Sequence, residues 1–334
     1  MPASSPAPAT DVMLASIRVL FAVLGRISPA LAGRLAARLF CRPRRHRRPD
    51  RERALIARGT PVPLPNGLSA TAWGAGPVVL LVHGWEGRGA QLGAFVDPFV
   101  AAGYRVVALD GPAHGDSTGD SVTGPEFARA LEATREAVGP LAAVVAHSFG
   151  GFISLLAAAR GLTMDRLVVI GSPSSVPEVL REFQEQIALP ERAMPSMVHA
   201  LERRTGEAVA SFDVSTFVGH IDAPLLIVHD TDDVEVPYVN GTRLSELFGA
   251  RLLTTSGLGH RRILFAPDVV DAVVEFVATA DLRNSDRRCE APQGGAIRTA
   301  GMRNSDRRCA APQGGAITAG RSLVPHSDPA LEES

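Results

Sequence analysis

A doubly wound α/β domain, a mostly parallel sheet with helices on both faces, is predicted for the middle of this 334-residue chain. Three observations predict it. Short, mostly apolar runs recur at Val78–Val82, Arg105–Leu109, Leu141–Ala146, Leu167–Ile170 and Leu225–Val228, with a weaker one at Arg251–Thr254. They lack the polar alternation of a half-exposed sheet, as strands covered on both faces do. Helical periodicity intervenes at about 91–102, 124–138, 149–160, 238–248 and 267–279, the alternation of βαβ units. The interval 172–222 breaks this rhythm with helical stretches (Glu178–Ile187, Glu191–Arg204) and no strand. An insertion there falls on the carboxyl edge of the sheet, where such folds bind ligands, and predicts a helical lid.

Flanking regions differ in kind, and the sequence divides into an arm (1–53), the α/β domain (54–280) and a tail (281–334). Along the arm, Met13, Ile17, Leu20, Leu24, Ile27, Leu31, Leu35 and Leu39 recur at helical spacing, and Ser28-Pro29 divides the stretch into two helices. A run of arginines follows, from Arg42 to Arg53. Two readings of residues 12–53 stand side by side: an interfacial anchor for an anionic membrane surface, or a helical pair packed on the domain and followed by a solvated basic linker. In the tail, Arg283–Cys289 recurs at 303–309 and Ala291–Ile297 at 311–317, a duplication with a period of 20. Rich in Gly, Pro, Ser and Arg, with almost no apolar face, the tail is expected to be disordered.

Charge is segregated although the net charge is −1: +8 over residues 1–53 against −10 over residues 54–280. An acidic body argues against nucleic acid as a partner, since such binding rests on cations meeting phosphates. The chain has no lysine at all. That excludes a G-x-x-x-x-G-K phosphate loop, a lysine Schiff base and an S-x-x-K nucleophile. Cys41, Cys289 and Cys309 have neither metal-ligand spacing nor the density of a disulfide scaffold, and are expected to be free thiols. Arg18 and Arg26 interrupt the best apolar stretch, so no membrane span is expected, and Met1 to Thr10 has no positive charge for a secretory signal. A cytoplasmic location follows as an expectation, peripheral at the inner membrane face if the arm meets lipid.

The segment that carries chemistry is Val144-Val145-Ala146-His147-Ser148-Phe149-Gly150-Gly151. A buried strand runs into a helix with a serine at the join. Small residues at 146, 150 and 151 let the backbone turn sharply, lifting the hydroxyl above the sheet at a helix N-terminus that favours a developing oxyanion. After the first strong strand comes His83-Gly84-Trp85-Glu86-Gly87, and after the next, Asp110-Gly-Pro-Ala-His-Gly-Asp-Ser117.

With these three segments in this order, the chain resembles the α/β-hydrolase superfamily over roughly residues 60–280. Its pattern has glycine where Ala146 and Ala113 stand here. The resemblance implies Ser148 as nucleophile and the N–H groups of Trp85 and Phe149 as an oxyanion hole. From the family's D-x-x-V-P spacing it implies Asp233, with Asp230 in reserve, as the orienting acid. His260, after Gly257-Leu258-Gly259, takes the place of the base, and Ser148, Asp233, His260 is the order that this fold requires. No metal or organic cofactor is implied. Arg261 and Arg262 either contact an acidic substrate group or brace the Asp-rich turn.

The expected function is a serine hydrolase of a carboxylic ester or similar acyl bond, acting on a small-molecule substrate. Phe183, Ile187, Leu189, Met194, Met197 and Leu201 form either an apolar pocket in the lid or its packing surface. Two alternatives have sequence tests of their own. Gly84, Gly87, Gly89 and Gly93 follow a strand, but without the G-x-G-x-x-G spacing of a dinucleotide site. A catalytically silent ligand-binding or membrane-recruited module would share the fold and pocket without turnover.

Overall fold

In the computed structural model, residues 8–289 are described, with side chains from 13 to 279. One eight-stranded sheet organises the domain, in the order β1-β2-β4-β3-β5-β6-β7-β8. The strands are β1 Thr60–Pro63, β2 Ser69–Trp73, β3 Val78–Val82, β4 Arg105–Asp110, β5 Leu141–His147, β6 Leu167–Ile170, β7 Leu225–Asp230 and β8 Arg251–Thr255. From β4 through β8 every pairing is parallel, while β1 and β2 form an antiparallel edge. All five residues of β3 are buried, as its central place requires.

Alternate strand residues feed two cores, as a period of two dictates. Leu80, Leu109, Val144 and Val169 pack with Phe127 and Leu131 of α5 (Gly124–Val138) and with Phe152 and Ile153 of α6 (Phe149–Ala159), in a core that also holds Leu244 of α9 (Val239–Phe248). Leu81, Val106, Val145 and Val228 pack on the other face with Phe99 of α4 (Val96–Ala101) and Val273 of α11 (Pro267–Cys289). Each such fully buried side chain contributes about 1.5–3 kcal/mol relative to exposure. Thr123 closes a capping box with Glu126 and so fixes where α5 begins.

A third core lies outside the sheet. Helices α1 (Pro8–Ile27) and α2 (Pro29–Phe40) pack on the insertion, whose helices are α7 (Val176–Gln186) and α8 (Met194–Thr205). Ser28 caps α2 and Pro29 opens it. The small residues Ala32, Gly33, Ala36 and Ala37 let α2 approach α8 so closely that a methyl group on Gly33 would lie 2.4 Å from the Ala193 carbonyl oxygen. Ile187, Leu189, Met197 and Leu201 are buried in this core, so these lid residues pack against the arm rather than line a pocket.

The basic run is not a solvated linker. Arg44 binds Glu86 through two guanidinium bonds of 2.9 and 3.0 Å. Arg45 donates to the carbonyls of Ala113, Ser117 and Gly119, and Arg48 pairs with Asp110 and Asp116. In α3 (Asp50–Ala57), Glu52 forms a buried ion pair with Arg88. The run is a strap across two strand-end turns, because oriented carbonyls and carboxylates there give the guanidinium forks fixed partners.

The tail boundary also shifts. Helix α11 continues past 280 to Cys289, since neither Gly nor Pro interrupts the chain between Pro267 and Cys289. The second repeat copy, and the expectation of disorder beyond 289, lie outside the described residues. Among the described residues no helix is long and apolar enough to cross a membrane.

Candidate active site

Ser148 joins β5 to α6 with φ 55° and ψ −130°. A non-glycine residue held there costs about 1–3 kcal/mol and persists only where its surroundings enforce it. Its N–H donates to the Ile170 carbonyl (2.8 Å), and its carbonyl accepts from Gly151 (2.8 Å). Fully buried Ala146 packs in the core beneath the turn. A methyl group on Gly150 would lie 2.3 Å from the His83 carbonyl oxygen, and one on Gly84 would lie 2.7 Å from Ser148 Cβ. The turn after β3 thus rests directly on the serine.

Beyond β7, Asp233 Oδ1 accepts the N–H groups of Glu235 (2.9 Å) and Val236 (2.8 Å). Its Oδ2 accepts the Nδ1–H of His260 at 2.7 Å. Burial alone would raise this carboxyl's pKa, but the His260 bond and the two backbone donors hold it below the ordinary value. Asp230 has no such freedom. Its carboxylate accepts from the N–H groups of Asp232, Leu258 and Gly259 and from the Thr255 hydroxyl, tying the β7 turn to the loop that bears His260.

His260 stands in the short helix α10 (Gly259–Arg262) and is held from below. His147 Nε2–H donates to its carbonyl at 2.8 Å, and the two rings lie 4.6 Å apart. A methyl group on Gly171, which has φ 55°, would come within 3.4 Å of both His260 Nδ1 and Asp233 Oδ2. In the parallel register His147 faces Ile170, whose carbonyl also accepts the Ser148 N–H. Among the described residues no hydrogen bond joins Ser148 Oγ to the ring; such contacts tighten when substrate binds.

The Trp85 N–H donates to no protein acceptor among the described residues, and Phe149, at the first position of α6, has no intrahelical acceptor. The turn that carries Trp85 is braced twice. His83 Nδ1–H donates to Gly84 O (2.7 Å) while its Nε2 accepts from Gly111 N (2.9 Å), a use of both nitrogens that requires a neutral ring. Burial pushes its pKa down to about 4. On the other side, Glu86, itself at φ 56°, is gripped by Arg44 and His46. Ala113 holds φ 64° in the neighbouring turn, so the departure from glycine leaves the left-handed conformation in place.

Arg261 and Arg262 follow His260 directly in α10. Arg261 pairs with Glu235, and Arg262 donates to the Gly257 carbonyl (2.7 Å); both are exposed, and these partners are those of the bracing alternative. Three features went unread in the sequence: the Arg44–Glu86 clamp, the His147 grip on the His260 carbonyl, and Phe40. That ring, at the end of α2, stacks with Trp85 (6.5 Å) and meets Phe183 of α7 edge-on (5.2 Å). Trp85 in turn meets Phe149 edge-on (5.6 Å), so a half-buried aromatic wall runs from the lid to the serine's neighbour. Trp85 and Phe149 were marked in the sequence by their turns and Phe183 by the lid's apolar residues, but nothing there marked Phe40. Among the described residues no group of His, Cys, Asp or Glu is arranged to hold a metal. A cavity of about 430 Å3 lined by Arg58, Thr60, Trp73, Asp97 and Arg105 opens at the opposite edge, where β4 begins, and contains none of the groups above.

A parallel sheet with a strained serine between β5 and α6 and a histidine–aspartate pair at the same edge defines an α/β-hydrolase architecture. A family model for the alpha/beta hydrolase fold matches residues 77–251, and the chain belongs to that family. Sequence comparison with curated proteins gives no match. Among solved structures, the chain is similar to lip1 of Acinetobacter baumannii AYE, which carries a provisional lipase assignment (21% identity, TM-score 0.55, 70% of this chain and 95% of that one). It is also similar to the meta-cleavage product hydrolase CumD of Pseudomonas fluorescens IP01 (20%, 0.50, 69% and 99%). A third is the monoacylglycerol lipase of Paleococcus ferrophilus (20%, 0.50, 64% and 99%). At these identities the likeness is one of fold.

Proposed function

We propose that the protein is a serine hydrolase that cleaves a carboxylic ester or similar acyl bond. The observation that carries this reading is the 2.7 Å bond from His260 Nδ1–H to Asp233, set beside a serine in a strained turn. With Nδ1 committed to the carboxylate, Nε2 is the nitrogen left to accept a proton. Ser148 Oγ attacks the acyl carbon as its proton passes to His260 Nε2. The carbonyl oxygen becomes an oxyanion opposite the N–H groups of Trp85 and Phe149, each donor being typically worth about 10²–10³ in rate. As the tetrahedral intermediate collapses, the imidazolium returns the proton to the leaving oxygen. Water then repeats the sequence on the acyl-enzyme, and Asp233 keeps the imidazole in one tautomer throughout.

The aromatic wall of Phe40, Trp85, Phe149 and Phe183 supports an apolar acyl or alcohol group as the portion bound. A chain-length panel of chromogenic acyl esters and thioesters, run on wild type and Ser148→Ala, tests the reading. The expected result is turnover by wild type that Ser148→Ala lowers by at least about 10³. Equal rates for the two proteins, or none for either across the panel, would favour a silent binding module.

A further inference from the structure

Helix α1 has a broad apolar face, and only part of it is covered. Phe21 is buried and Ile17 and Leu24 are half-buried in the core shared with the lid helices. Met13, Leu20, Val23 and Ile27, seven, three and four residues apart, fall on the side next to it, with Val19 at the far border. They are 43–77% exposed, and Leu31 of α2 continues the stripe. Six of the ten exposed large apolar side chains on the described surface stand in this one place, a concentration that scattered surface exposure does not produce.

From Val12 to Cys41 the charges are of one sign. No acidic residue occurs between Val12 and Cys41, whereas Arg18, Arg26, Arg34 and Arg38 do. Arg18 donates to the Gln186 carbonyl. Arg26, Arg34 and Arg38 are exposed and have no acidic partner among the described residues, unlike Arg44 and Arg48 of the strap. A symmetric dimer through this face would set arginine against arginine with no acid of the same stretch to pair them. A surface that is apolar below and anionic at its boundary satisfies both features at once.

We propose that α1 and the start of α2 lie on an anionic lipid surface. Met13, Leu20, Val23, Ile27 and Leu31 enter the boundary between headgroups and acyl chains, and Arg26, Arg34 and Arg38 meet the headgroup phosphates. The stripe from residue 13 to 27 is about 21 Å long. The contact lies on the helices that pack against the lid, so the lid sits next to the lipid whether or not the site turns over an ester.

Co-sedimentation of the full chain with phosphatidylcholine vesicles, with and without phosphatidylglycerol, tests this. Two variants serve, Leu20→Ser/Val23→Ser/Ile27→Ser and Arg26→Gln/Arg34→Gln/Arg38→Gln; both change exposed positions, and circular dichroism checks that the fold is kept. The expected result is salt-sensitive binding to the phosphatidylglycerol vesicles, weaker by about tenfold or more without that lipid and in each variant. Equal recovery of all three proteins, or no binding by wild type, overturns the proposal. So does a concentration-dependent dimer that the serine variant abolishes while vesicles recover nothing, which would assign the stripe to a second copy of the chain.

Discussion

The carboxyl edge of the sheet and the helical layer of α1, α2 and the lid are built by opposite means. At the edge, the turns after β3, β4 and β5 each hold a non-glycine residue in the left-handed region (Glu86, Ala113 and Ser148), fixed by directed hydrogen bonds and by glycines with no room for a methyl group. In the helical layer the contacts are apolar and small-residue, and one side of α1 is left open. Strain is affordable only where many partners over-determine the backbone, so the difference marks the edge as the place where geometry matters most.

Substitutions that break the edge should have the largest effects. Asp233→Asn removes the acceptor that fixes the His260 tautomer, and kcat should fall by about 10³–10⁴ while the far-UV spectrum is unchanged. A fall of less than tenfold in steady-state assays would assign orientation of the ring to another group. Gly150→Ala puts a methyl group 2.3 Å from a backbone carbonyl and should cost about 1–3 kcal/mol or more in denaturant unfolding. Gly33→Ala meets backbone atoms at 2.4 and 2.6 Å between α2 and α8 and should cost a similar amount, but without altering kcat at temperatures where the variant stays folded. That split between the two glycines sharpens the comparison.

A third contrast is with pH. His83, His114 and His147 are buried and neutral, with pKa values pushed down by burial to about 4, 3 and 3. In the unfolded chain they titrate near about 6.5. Above that value neither state binds these protons and their contribution to stability is complete. As pH falls below it, the unfolded chain takes up three protons that the folded chain refuses until about pH 4 to 3, so stability is lost across that window. Denaturant midpoints should fall steadily from pH 7 to pH 4; a flat profile would mean that the rings are not held neutral. The smallest effect is expected at the clamp. Arg44 is half-exposed, and Arg44→Ala should lower kcat only a few-fold and stability by about 1 kcal/mol or less, with KM unchanged.

Much of the edge was legible because its signals are local. The six parallel strands appear as apolar runs, and Ser148, Asp233 and His260 each follow a strand end in chain order. β1 and β2 were not legible: Thr60–Pro63 contains two prolines, Ser69–Trp73 is short with small residues, and edge strands need less apolar sequence than central ones. The strap was misread for a different reason. Arginines signal solvent unless their partners are known, and here those partners are carbonyls and carboxylates 42 to 74 residues away. Phe40 was hidden in the same way, since its ring neighbours come from the turn after β3 and from α7.

The central claim is that the hydroxyl of Ser148 is a nucleophile activated by the His260–Asp233 pair. Its most direct measurement is the mass of the intact protein and its peptides after treatment with a fluorophosphonate. One phosphonyl adduct is expected, located on Ser148 and lost in both Ser148→Ala and His260→Ala. An unmodified wild-type protein, or an adduct carried by another residue, would contradict it.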